Sequence, residues 1–382
     1  MEIIELGQYL SAGEDSEHQF KRIFDSPDKL AAEMVAFSNG TGGTIFVGVD
    51  DNGIIIGLNE NEVRRLNQMI ANVASQNIRP PINPTTQNIV TDKGIVLVIT
   101  VHEGVNRPYQ DKDGVFWVKS GSDKRKATSR EELQRLFQSS GLIHADESLV
   151  PNMQLSDLDM AYFSIFFEKR YGESLAQQRF PLPQIAENLN LGKDGLLNLT
   201  AALLFSNNPS AKLPLFIVKA GAFDAIDLAT TSYTDSRDIT GKMADIFRQT
   251  VNFVITNLHH RQGDQNVNSV GLPEIPVVTI EELIANALIH RDYFISAPIR
   301  VFIFRDRVEI VSPGHLPNNL TIENIKAGNS NTRNPVLASF ANYLLPYRGY
   351  GSGIMRALSA YPDVNFIDDH DSNIFKAIIM RI

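Results

Sequence analysis

Residues 279–314 change periodicity once, and that change constrains the fold more than any other feature of the chain. TIEELIANALIHRDYF (279–294) carries apolar residues at helical spacing. IRVFIFRDRVEIVSPG (299–314) follows with alternating apolar residues and Arg305-Asp306 at its centre. A period of 3.6 giving way to a period of 2 predicts a helix and then two strands joined at that turn. A loop-rich stretch (312–350), a helix after GYGSG and a last strand, IFKAIIMRI, complete the region. Helix, hairpin, loop, helix and strand in that order predict an α+β sandwich.

The rest of the chain sets limits. Its 382 residues predict two or three domains. There are no cysteines, which excludes disulfides, thiolate zinc sites and cysteine nucleophiles. No run of about 18 apolar residues is present, so no transmembrane helix and no membrane partner are expected. The acidic start, MEIIELGQYLSAGEDSE, lacks the pattern of a signal peptide, and a cytoplasmic location is expected. A net charge of −9 argues against a generally basic nucleic-acid binder. Residues 1–145 hold 15 Lys and Arg against 19 Asp and Glu, leaving −4. Their one basic cluster is Lys119, Lys124, Arg125, Lys126 and Arg130, which is either a phosphate-facing patch or a solvated loop.

Three regions are expected. In 1–145, helices are predicted near 30–40, 60–78 and 131–141, with strands at 42–50, 95–101 and 115–121. Asn52-Gly53 predicts a hairpin between GGTIFVGVD and IIIGL. Residues 146–270 read as a helical and mixed connecting region, with helices at 155–172, 181–192, 195–209 and 241–261 and a strand at 213–223. The polar segment 261–271 precedes the last region, 271–382. Asp235, Arg237 and Asp238 are read as a structural salt-bridge corner.

Glu282, Asn286 and His290 recur at i, i+4 and i+8, which places them along one helical face. Leu283, Ala287 and Leu288 suit packing on a sheet. An Asn oxygen can serve Mg²⁺, which takes one or two protein ligands beside phosphate and water. A carboxylate one turn earlier can orient or deprotonate water. By spacing alone, an exposed polar face is the better explanation of these residues. Two glycine segments favour the chemical reading. Gly314 follows a strand, and Arg348, Gly349, Gly351, Ser352 and Gly353 precede a helix, where backbone N–H groups can meet phosphate. Arg356 lies on that helix. The intervening Asn/Ser/Thr/Gly-rich stretch, including GNSNTRNP, suits a lid over nucleotide. His290-Arg291-Asp292 lacks the other kinase motifs and is not read as a catalytic loop.

In this order the segments resemble the GHKL ATPases, and more closely the divergent ATP-binding domain of bacterial proteins described as transcriptional regulators. The resemblance covers roughly 273–382. It implies a GHKL-type α/β sandwich binding ATP and Mg²⁺, with Glu282 as general base and Asn286 as magnesium ligand. Gly314 falls in the first glycine box, and Gly349, Gly351 and Gly353 in the second. His290, Arg348 and Ser352 complete the expected nucleotide-binding set. Ser312 stands where the family has an adenine-binding Asp and offers only a hydroxyl. Weak ATPase activity and a homodimer are compatible with this resemblance.

AFSNGTGGTIFVGVDDNGIIIGL (36–58), with EHQFKRIF before it and WVKSGSDKRKAT after it, resembles the Schlafen AlbA-type domain. That implies an AlbA-like α/β domain facing DNA or RNA, with Lys119, Lys124, Arg125 and Lys126 as contacts. Animal relatives can carry a cleaving carboxylate cluster, for which Glu14 and Glu17, with Asp50 or Asp51, are the candidates. Gln19 stands where a further Glu is common. Related bacterial proteins often add a winged helix, whereas this chain ends at its predicted last strand, which weakens a transcription-factor reading. The expectation is an ATP-binding regulatory switch with a nucleic-acid-binding domain. The alternatives are an ATP-gated, metal-dependent nuclease and a non-hydrolysing interaction protein.

Overall fold

The computed structural model describes residues 2–229, 232–262, 271–317, 320–349 and 351–381. It divides into two compact units, Met1–Ile143 and His144–Ile382. Both mix helices and sheets, giving an α+β fold. Among the described residues no helix is long and apolar enough to cross a membrane.

The first unit runs α1 (Ile3–Ala12), β1 (His18–Lys21), α2 (Pro27–Asn39), β2 (Gly42–Val47), α3 (Glu60–Asn72), β3 (Ile78–Arg79), β4 (Thr85–Thr91), β5 (Gly94–His102), β6 (Gln110–Asp111), β7 (Trp117–Ser120), β8 (Asp123–Lys126) and α4 (Arg130–Ser139). Its main sheet has the order β1-β2-β5-β4, with β1 and β2 parallel and the other pairs antiparallel. Period-2 alternation divides its side chains between two cores. Ile45, Val47, Leu97 and Ile99 pack with Leu30, Met34 and Phe37 of α2, while Phe20, Phe46, Val96 and Val98 pack with Leu6 of α1. Gly43 leaves room for the Phe37 ring, which any Cβ would strike.

The predicted hairpin over 42–58 is corrected. The turn forms, with Asp50 Oδ1 accepting from Asn52 N and Ile54 N and with Gly53 at φ +76°. Only the single bridge Val49–Ile55 follows it. Both edges of β2 are already taken by β1 and β5, so residues 54–56 gain no ladder, and Ile54 and Ile56 stay exposed.

The second unit continues with β9 (Leu149–Gln154), α5 (Met160–Tyr171), α6 (Leu182–Asn188), β10 (Gly192–Lys193), β11 (Leu196–Asn198), α7 (Leu199–Phe205), α8 (Pro209–Lys212), β12 (Val218–Ala222), β13 (Asp235–Ile239), α9 (Met243–Thr256), β14 (His260–Arg261) and β15 (Leu272–Pro273). It closes with α10 (Val277–His290), β16 (Ile299–Ile303), β17 (Arg307–Pro313), α11 (Ile322–Lys326), α12 (Pro335–Leu344), α13 (Gly353–Ala360), β18 (Val364–Asp369) and β19 (Ile374–Met380). Six strands form one sheet, β13-β12-β16-β17-β19-β18, in which only β12 and β16 are parallel. The regions expected at 146–270 and 271–382 therefore share a sheet and a core within one unit. Most of the polar segment between them, 263–270, lies outside the described residues. Asp235 and Arg237 pair on edge strand β13, and Asp238 pairs with Lys219 of β12.

Helix α10 buries Ile280, Leu283, Ile284, Ala285, Leu288 and Ile289 in that core. Large aliphatic side chains contribute about 1.5–3 kcal/mol each when fully buried. Two side chains fix its position. Thr279 Oγ1 donates to Ala357 O of α13 at 3.1 Å. Asn334, just before α12, donates from Nδ2 to Ile289 O and Arg291 O at 2.8 and 2.9 Å, closing the end of α10. Asn334 is fully buried. Replacing it with Ala strands two carbonyls, so Asn334→Ala should cost about 2–4 kcal/mol, read from the urea midpoint.

Candidate functional site

The polar face of α10 opens on a cleft enclosing about 990 Å³ of space, open solvent included. Glu282, Asn286, His290, Ser312, Gly314, Arg348, Gly349, Gly351, Ser352 and Gly353 all line it. Residues more than sixty positions apart meet because α10 lies against both β17 and α13.

Glu282 is buried and carries a salt bridge to Arg356 of α13, whose Nε lies 2.8 Å from Oε1 and whose Nη2 reaches the same oxygen. Arg356 Nη1 also donates to Ser352 Oγ at 2.8 Å. Ser352 itself has helical backbone angles, and its side chain does not cap the first-turn N–H groups of α13. Asn286 Nδ2 is buried with no hydrogen-bond partner among the described residues. A rotation of the amide exchanges its nitrogen and oxygen, so the site can present a carbonyl oxygen.

His290 is partly buried, with Nε2 3.1 Å from Tyr347 Oη. Burial first, and the nearby Arg333 guanidinium second, push its pKa down to about 4. Ser312 donates to Ala287 O at 3.3 Å, so its hydroxyl already has one partner. Gly314, at φ +97°, is a packing necessity: a Cβ there would lie 2.6 Å from Asp292 Cβ and would strike Arg333. Gly353 lets α13 approach α10, since a Cβ would sit 2.7 Å from Glu282 Oε2 and 3.3 Å from Asn286 Nδ2. Gly351, at φ +72°, makes room for Gly328 O in the same way.

Arg333 and Tyr347 were not singled out from the sequence. Arg333 donates to His315 O at 2.7 Å and is held beside the cleft, where burial pushes its pKa down. Its sequence signal was weak, because GNSNTRNP reads as a solvated loop until α12 is seen to begin at Pro335.

In the first unit the basic cluster is corrected as a uniform patch. Lys119 turns inward, donating to Gln19 Oε1 at 2.9 Å and Ser122 O at 2.6 Å, with Nζ 4.7 Å from the Phe37 ring centre. Burial lowers its pKa, with Glu33 and Glu14 opposing. Lys124 pairs with buried Glu33, and Arg125 pairs with Glu132 through two bonds. Lys126 lies 5.4 Å from the Trp117 ring centre, on the exposed edge of the β7–β8 hairpin. Lys124 is drawn to Glu33 because an unpaired buried carboxylate is costly.

The candidate carboxylates do not assemble. Glu14 Oε1 accepts from Gln19 Nε2 and Phe20 N, and Asp50 caps its own turn. Among the described residues they form no group of three with metal-ligand spacing.

The His290 shift gives a sign. The unfolded chain, with an ordinary imidazole near 6.5, takes up its proton first as pH falls. Stability should be unaffected above about pH 6.5 and decline from there toward pH 4, by at most about 3 kcal/mol. His290→Gln should flatten that part of the urea-midpoint profile.

Residues 14–128 match the Schlafen AlbA_2 family. Residues 296–370 match the family described as "Putative ATP-dependent DNA helicase recG C-terminal", a span that includes the cleft's glycines but not α10. No curated protein matches the chain. The chain is similar to the crystal structure of the DIP2311 protein from Corynebacterium diphtheriae at 21% identity, covering 99% of this chain and 80% of that one, with a TM-score of 0.45. It is also similar to the solution structure of the N-terminal domain of a RecG-related protein from Nitrosomonas europaea at 22% identity, covering 34% of this chain and 96% of that one, with a TM-score of 0.25. The chain thus carries a Schlafen AlbA_2 domain at its N-terminus and a RecG-like, ATPase-type domain in its C-terminal part.

Proposed function

We propose that this chain is an ATP-binding regulatory switch, with its nucleotide in the α10–α13 cleft and a nucleic-acid-binding first unit. An AlbA_2 domain and an ATPase-type domain in one chain point to an ATP-dependent, nucleic-acid-related protein. The observation that carries the finer reading is Asn286, whose buried amide has no partner beside an uncapped helix N-terminus. Both features call for an oxygen-rich, anionic ligand with its cation. Asn286 would give one ligand to Mg²⁺, and the backbone at Gly349, Gly351 and Gly353 would hold phosphate. Arg348 at the rim would add charge, while neutral His290 and Ser312 would shape the pocket. The magnesium ion supplies charge neutralisation for the phosphates. Calorimetry with Mg²⁺–ATP tests this: Asn286→Ala should bind about 10–100-fold more weakly, and unchanged affinity would remove the assigned role.

Glu282 separates two versions of the switch. As general base it would accept a proton at Oε2, with Arg356 holding Oε1. The Arg356 contacts favour a second version, in which the carboxylate is a structural partner and nucleotide is bound without turnover. Phosphate-release assays decide between them: turnover lost in Glu282→Gln at preserved ATP affinity selects the base.

For the first unit, Arg125 and Lys126 are the proposed phosphate contacts, with Lys119 and Lys124 holding the hairpin. Arg125→Ala with Lys126→Ala should lower the slope of log K against log salt by about 2 for double-stranded DNA. Lys126→Ala alone should lower it by about 1. Fluorescence anisotropy across a salt series measures both.

A further inference from the structure

The turn joining β18 to β19 brings a second set of donors to the rim of the cleft. His315 and His370 stack with ring centres 4.3 Å apart at 28°. His370 Nε2 lies 3.0 Å from Asp368 Oδ2. The three side chains offer donor atoms all within 4.8 Å of one another, the one such grouping among the described residues. None of these residues enters the nucleotide reading above.

The surrounding bonds hold this group in place. Asn373, at φ +50°, accepts Gly314 N on its backbone carbonyl and His315 N on Oδ1, at 2.8 and 3.1 Å. Asp368 Oδ1 accepts Leu316 N at 2.7 Å, leaving Oδ2 toward His370. His315 Nδ1 lies 2.8 Å from Leu316 O, a carbonyl that can only accept, so the proton sits on Nδ1 and Nε2 keeps its lone pair. A ring nitrogen fixed by a carbonyl while the other is free is the outer-shell arrangement of a ligating histidine.

We propose that His315, Asp368 and His370 form a binding site for a divalent transition metal, with Zn²⁺ the best-matched ion. Two imidazoles and one carboxylate are a set that suits zinc, whereas Mg²⁺ prefers oxygen alone. Donors around tetrahedral zinc stand about 3.3 Å apart, given bonds of about 2.0–2.1 Å. Closing the group therefore needs a movement of roughly an ångström, which exposed His370 can make. Water fills the remaining coordination position, as it does at open zinc sites.

The full-length chain, free of nucleotide, should retain one Zn²⁺ after desalting and show a single site by calorimetry. His370→Ala, on an exposed turn, should weaken binding by about 100-fold or more, since even outer-shell changes cost 10–100-fold. The double variant His315→Ala/His370→Ala should lose it, along with the rise in melting temperature that Zn²⁺ gives the wild type. His102→Ala in the other unit should change nothing, and far-UV circular dichroism checks that each variant is folded. Asn286→Ala should keep full zinc affinity, which separates this site from the nucleotide cleft. Zinc binding unaltered in His370→Ala, displacement by millimolar Mg²⁺, or no bound zinc in the folded wild type would each overturn the assignment.

Discussion

Helix α10 has to satisfy two incompatible surroundings with fourteen residues, and the second unit is organised around that demand. Its aliphatic side chains complete the core beneath the six-stranded sheet, while Glu282, Asn286 and His290 face a solvent-filled cleft. A helix so placed cannot turn without breaking the buried Glu282–Arg356 pair or exposing several Leu and Ile side chains, each of which costs kilocalories. Thr279, Asn334 and the Glu282–Arg356 pair fasten it at its start, end and middle. The cleft is thus a consequence of how one amphipathic helix is pinned.

The same economy governs the glycines. Gly314, Gly351 and Gly353 lie where backbone or side chain from another element comes within contact of a would-be Cβ. Their packing role and the proposed phosphate role do not compete, because a backbone that allows another chain to come close also leaves its N–H groups uncovered. The two readings part at Gly314, where Arg333 and Asp292 already fill the space above the residue.

In the first unit, charge and structure are arranged differently from what the linear pattern indicated. Lys119 and Lys124 serve as half-buried links, through Gln19 and Glu33, between the β7–β8 hairpin and the body of the domain. A lysine paired inside a fold is unavailable to a phosphate, so the part of the hairpin that can meet a polyanion shrinks to its outer edge. The carboxylates near Glu14 follow the same rule: Glu14 is consumed by strand β1, whose Gln19 and Phe20 both donate to it.

The sequence by itself determined α10, the β16–β17 hairpin, α13 and the last strand, together with ten of the residues lining the cleft, but not α11 and α12, which lie in the stretch that reads as a loop. Periodicity, turn chemistry and glycine positions are local properties that survive without knowledge of neighbours. Strands β1, β4 and β18 were not legible, because short polar-rich runs such as TTQNIVT become strands only when a sheet edge stands beside them. The shared sheet of the middle and last regions was hidden for the same reason, since β12 and β16 pair across 81 residues, Val218 with Ile299. Which cations are free, which Glu282 oxygen is taken and that His315 meets His370 were decided by tertiary structure alone. Such facts depend on distances between residues far apart in the chain, and composition and spacing carry no information about those distances.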